Sequence, residues 1–137
     1  MRAQTSPLER AGTAGWRLFE GLRDDVAKGL QGTSDRLQVH VMRGWISFKS
    51  ENLKRVFAEV RPHRRDVEVF ILPPPEFLER TNGLARSSPP TQGWGWFRSK
   101  FRLVRLEDVK SAKDLLMQSY QYRKEMSRRK RRGNRKD

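Results

Sequence analysis

The residues best able to do chemistry in this sequence are cations. In the run Phe97-Arg98-Ser99-Lys100-Phe101-Arg102-Leu103, basic side chains alternate with apolar or small ones. On an extended strand Arg98, Lys100 and Arg102 would share one face, about 7 Å apart. That interval is close to the phosphate repeat of a nucleic-acid strand. Lys49, Arg61, Arg64 and Arg65 fall on neighbouring segments and could widen the same surface. Such contacts position a phosphate backbone without reading bases. The plainer alternative is a solvated outer face, or an edge protected by charge.

Two further stretches could take part. Gly93-Trp94-Gly95-Trp96-Phe97 places aromatic rings beside glycines, with cations following at once. Bases stack on aromatic rings of this kind. Phe97 and Trp96 read as core cover, which leaves Trp94 as the stacking candidate. The second stretch is Arg128-Arg129-Lys130-Arg131-Arg132, a run with no apolar face. It suits phosphates or an acidic protein better than a lipid surface, which asks for apolar residues opposite the charge.

Enzymatic chemistry has little to build on. His40 and His63 are the only histidines, and they lack metal-ligand spacing. Glu59, Asp66 and Glu68 on adjacent strands suggest a metal-dependent nuclease. The acid-x-lysine arrangement is missing, however, because Val69 and Phe70 follow Glu68. No phosphate loop or nucleophile elbow is present. The expectation is a non-enzymatic protein without a cofactor or bound metal.

Composition points the same way. The net charge is +14 over 137 residues, with pI near 11.2. Residues 123–137 hold nine Lys or Arg and two acids, leaving 21 basic and 14 acidic residues in the other 122, so each part carries +7. Charge is thus a property of both tail and domain, and it favours an anionic partner. Cysteine is absent, so disulfides and thiolate metal sites are excluded. No apolar run approaches the roughly 20 residues of a membrane span. The start of the chain lacks the apolar segment of a secretory signal. A cytoplasmic location is expected.

Hydrophobic periodicity supplies the elements that would position these residues. Phe19, Leu22, Val26 and Leu30 recur at helical spacing over 14–31, with Gly32 as the stop. From Leu37 to Leu72 the period falls to two: Leu37, Val39 and Val41; Trp45 to Ser50; Val56, Ala58 and Val60; Val67, Val69 and Ile71. Arg43-Gly44 reads as a hairpin turn or a bulge. Pro73-Pro74-Pro75 ends the last of these strands. A long connection over 73–95 follows, with one helical turn expected near Pro75. Strand character returns over Trp96–Arg105. Val109, Ala112, Leu116 and Tyr120 then restore the helical period over 107–126. The expected organisation is a flexible lead-in 1–12, one α+β domain 13–126 and a basic tail 127–137. Its core would be an antiparallel sheet of four or five strands, with the N-terminal and C-terminal helices packed on one face.

The blocks WISFKSENLKRVFAEVRPHRRDVEVFIL and FRLVRLEDVKSAKDLLMQSY resemble a small prokaryotic family of unknown function. Its members are often labelled "predicted transport protein". The resemblance covers roughly residues 14–122: an aromatic-rich strand ending in Lys49, a basic turn, and a last strand entering an amphipathic helix with a tyrosine. The family implies no established activity. The GWGWF loop and the basic tail depart from its minimum.

Taken together, these features predict a nucleic-acid-binding domain, with RNA favoured over DNA because single strands expose base faces. The alternative is a protein-interaction module or a subunit of a larger assembly, a ribonucleoprotein included, docking on an acidic surface. Oligomeric state is left open.

Overall fold

The computed structural model describes residues 12–81, 83–87 and 97–134, with side chains as far as 129. Six strands form one antiparallel sheet: β1 (Leu37–Val41), β2 (Ile46–Ser50), β3 (Arg55–Pro62), β4 (Val67–Ile71), β5 (Arg86–Ser87) and β6 (Ser99–Leu103). Their spatial order is β1-β2-β3-β4-β6-β5. Helices α1 (Thr13–Gln31) and α2 (Val109–Asn134) pack on one face. The expected α+β architecture holds, with one strand more than expected. That strand is the two-residue β5, which the long connection lays against β6. A segment so short leaves no periodic pattern in a sequence.

Cross-strand partners define two faces. Toward the helices point Ile46 and Phe48, then Ala58 and Val60, then Val69 and Ile71, then Phe101 and Leu103. From α1 the stripe Leu18, Phe19, Leu22, Val26 and Leu30 meets them, and from α2 come Ala112, Leu115, Leu116 and Tyr120. Removing one such buried large side chain costs about 2–5 kcal/mol. The strict alternation breaks once, at a bulge where Lys49 partners Val56 while Phe48 partners Ala58. The extra residue is Phe57, which turns inward edge-on to Tyr120 at 5.6 Å.

Two local expectations need correction. Val39 and Val41, read as core, are 36% and 47% exposed. Their strand is the sheet edge, so it has a neighbour on one side only. Gly32 caps the helix as expected, in a right-handed conformation (φ −63), and the chain reverses at Ser34 (φ 63). There the Thr33 hydroxyl and the Asp35 amide both donate to Leu30 O, at 2.7 and 2.9 Å. The last helix starts two residues late, behind a 3-10 turn at Leu106–Asp108, and it runs on through Asn134. Arg43-Gly44 is settled as a turn, closed by Met42 N–H on Trp45 O at 2.8 Å.

Buried polar groups fasten the two layers. Asp35 is 2% exposed. Its carboxylate accepts from the Ser50 hydroxyl (2.5 Å), the Arg36 and Asn52 amides (2.7 and 3.0 Å) and the Tyr120 hydroxyl (2.9 Å). Burial pushes this carboxyl up, but those bonds outweigh it and hold it below the ordinary aspartate range. Ser119 on α2 donates to Phe57 O at 2.5 Å and accepts from Leu72 N–H at 2.9 Å. The long connection is clasped to α2 as well. Gln118 exchanges two bonds with the Glu79 backbone, and Arg80 reaches Asp114 at 3.2 Å.

Candidate functional site

The sheet face turned away from the helices carries the charge. On β6, Ser99, Phe101 and Leu103 are buried, while Arg98 and Arg102 are exposed and Lys100 is half-buried. Across the sheet, Arg102 lies opposite Glu68, which lies opposite Arg61. In the next row Lys100 lies opposite Phe70, which lies opposite Glu59. Lys49 is on β2, opposite Gln38.

The cations of this face fall into two groups. Arg61 is committed to Glu59 at 2.6 Å, with its guanidinium 4.9 Å above the Phe70 ring. Glu59 is only 3% exposed, and burial pushes its carboxyl up, against the pull of Arg61. Arg102 holds both oxygens of Asp66, at 3.0 and 3.1 Å. His63 approaches Glu68 at 3.5 Å. The three carboxylates that suggested a nuclease therefore each face a basic side chain. Among the described residues, no cluster of His, Asp and Glu could hold a metal ion. Lys49, Arg64, Arg65, Arg98 and Lys100 form the other group: among the described residues none makes an ion pair.

Arg64 and Arg65 occupy the turn between β3 and β4 and are exposed. Helix α1 braces that turn. Gly15 N–H donates to Arg64 O at 3.3 Å, and a Cβ on Gly15 would stand 1.9 Å from His63 O. Only glycine lets the two backbones meet there.

Helix α2 starts at the end of the sheet that holds Arg64, Arg65 and Arg102, and it leaves at the other. Arg123 still reaches the sheet, donating to Val56 O at 3.2 Å. Eleven helical residues follow it, through Asn134, a reach of about 16 Å. Arg128 and Arg129 are exposed there and lie 3.9 and 3.6 Å from Glu125. Lys130, Arg131 and Arg132 continue the helical backbone. The arm and the Arg64-Arg65 turn thus stand at opposite ends of the molecule. Lys49 and Arg98 lie toward the arm's end, and Lys100 lies midway along β6. Trp94 falls outside the described residues.

One cation escaped sequence reasoning. Arg86 sits in the long connection, where nothing marks it, yet β5 sets it directly opposite Lys100. The Glu59-Arg61 pair did leave a signal, an acid and a base two apart on one strand.

No protein-family model, no curated protein and no solved structure matches the chain at a significant level. Among the described residues, no helix is long and apolar enough to cross a membrane.

Proposed function

We propose that this protein binds single-stranded nucleic acid, RNA ahead of DNA, along the sheet face opposite its helices. The observation that carries the reading is the row Arg98 and Lys100, which stands on that face at phosphate-like spacing without ion pairs among the described residues, with the Asp66-bound Arg102 next in line. Lys49, Arg64 and Arg65 extend it, and the cations of the α2 arm supply a second grip. Single strands splay their bases, and Trp94 would stack on one of them. The reading is non-enzymatic.

The test is a salt titration of binding to a short RNA strand. The variant replaces Lys49, Arg64, Arg65 and Arg98 by Gln, four side chains free of ion pairs among the described residues. Affinity should fall, and the log–log salt slope should shrink by about 0.7 for each phosphate no longer neutralised. A variant with the slope and affinity of the unaltered protein would overturn the reading. It would move a protein-interaction module ahead, for which the exposed Val39, Val41 and Met42 at the β1 edge speak.

A further inference from the structure

The chain bears a cost at β5. This two-residue strand pairs Arg86 directly with Lys100 on β6. Like charges directly opposite each other in an antiparallel pair repel. Neither residue makes an ion pair among the described residues. Beside them lies a recess of about 150 Å³, lined by Arg86, Lys100, Arg102, Glu68, Leu84 and Phe101. Three cations and one carboxylate line it, and Asp66, bound by Arg102, brings the local charge to +1. Leu84 and Phe101, itself 3% exposed, supply apolar walls that strengthen charge interactions there.

We infer that this recess takes a terminal phosphate monoester of the bound strand. The inference rests on the nucleic-acid reading above and adds a preference for a chain end. An internal phosphodiester carries one negative charge. A terminal monoester carries about −1.5 to −2 at neutral pH and has three strong acceptor oxygens. The dianion supplies a counter-charge to each of the two uncommitted cations, and it removes the repulsion between Arg86 and Lys100 by sitting between them. The volume fits the same class: it is well below the roughly 300–1,000 Å³ of pockets that hold larger ligands. Arg102 is already tied to Asp66, so Arg86 and Lys100 are the residues that hold the phosphate.

The experiment compares one RNA oligomer in three forms: 5′-phosphorylated, 3′-phosphorylated and unphosphorylated. It is run on the full chain, on Arg86→Gln and on Lys100→Gln. Lys28→Gln, the same charge change on helix α1, is the control. The unaltered protein should prefer one phosphorylated form by about tenfold, the worth of a charge-assisted hydrogen bond. Arg86→Gln and Lys100→Gln should each erase that preference, and Lys28→Gln should keep it. Equal binding of all three forms overturns the terminal-phosphate site and leaves the nucleic-acid reading standing, as does a preference that survives in both recess variants. If no form binds, the nucleic-acid reading itself fails. Titration with inorganic phosphate at constant ionic strength, followed through the amides of Leu84, Arg86, Lys100 and Arg102, then decides the recess. Saturable shifts that vanish in Lys100→Gln uphold a phosphate site, and shifts that do not saturate overturn it.

Discussion

The Tyr120 hydroxyl donates to the Asp35 carboxylate at 2.9 Å, joining residues 85 apart in sequence. Helix α2 is thereby tied to the reversal that follows α1, and β2 is drawn in through Ser50. Because the bonds outweigh burial, Asp35 holds its proton less tightly when folded than when unfolded. A depressed carboxyl contributes stability above its unfolded value, and that contribution is lost as pH falls through the folded value. Asp35→Asn should therefore be destabilised by about 1–3 kcal/mol at neutral pH. The gap to the unaltered protein should close below about pH 4. Urea unfolding at several pH values measures it, and a constant gap would refute the assignment.

Glu59 should behave in the opposite sense. Burial leaves its folded carboxyl raised despite Arg61. The folded state then binds the proton more tightly, so stability declines as pH rises from the ordinary glutamate value of about 4.3 toward the folded one. Glu59→Gln should lack that decline. It should also release the Arg61 charge, 2.6 Å from Glu59 Oε2 in the native pair, to the surface. The salt slope for RNA should then steepen by about 0.7. An unchanged slope would place Arg61 outside the binding face.

Ser119→Ala should be costly for its size. The change strands the Leu72 N–H, which the Ser119 hydroxyl accepts at 2.9 Å inside the protein. An unsatisfied buried donor costs about 1–3 kcal/mol. Denaturant unfolding reads the loss, and faster hydrogen exchange at the Leu72 amide locates it. A variant as stable as the unaltered protein, with a protected Leu72, would show that the bond is dispensable.

Deletion of residues 127–137 should leave the fold alone and weaken RNA binding. Arg128 and Arg129 lie near Glu125 on their own helix. Stability should change by no more than about 0.5 kcal/mol. Thermal unfolding beside a salt titration checks both halves. A large drop in melting temperature, or an unaltered affinity, would contradict the role given to the arm.

Much of the fold was legible because it rests on periodicity. Leu22, Val26 and Leu30 could only be one face of a helix, and the alternation around Val60 and Val69 could only be strands buried on one side. Val39 and Val41 misled because alternation reports a face, whereas burial also depends on whether another strand lies outside. The inward turn of Phe57 was not legible, because a bulge inserts one residue and leaves the period-two pattern almost intact. The site was legible as a set of cations and no further. That Arg61 and Arg102 are committed to Glu59 and Asp66 depends on pairing across the sheet. That Arg86 faces Lys100 depends on where a long connection happens to touch an edge.

The contact of Gly15 with the turn at His63 and Arg64 bears on when disorder is given up. Ordering one residue's backbone costs about 1–2 kcal/mol. A basic loop that ordered only on meeting its ligand would surrender that freedom at association, and its affinity would fall accordingly. Here the helix backbone seats against the turn, with Gly15 N–H bonded to Arg64 O at 3.3 Å. The main chain beneath Arg64 and Arg65 is thus already still before any ligand arrives. Only the two side chains remain to be arranged, and folding has already absorbed the larger loss of freedom.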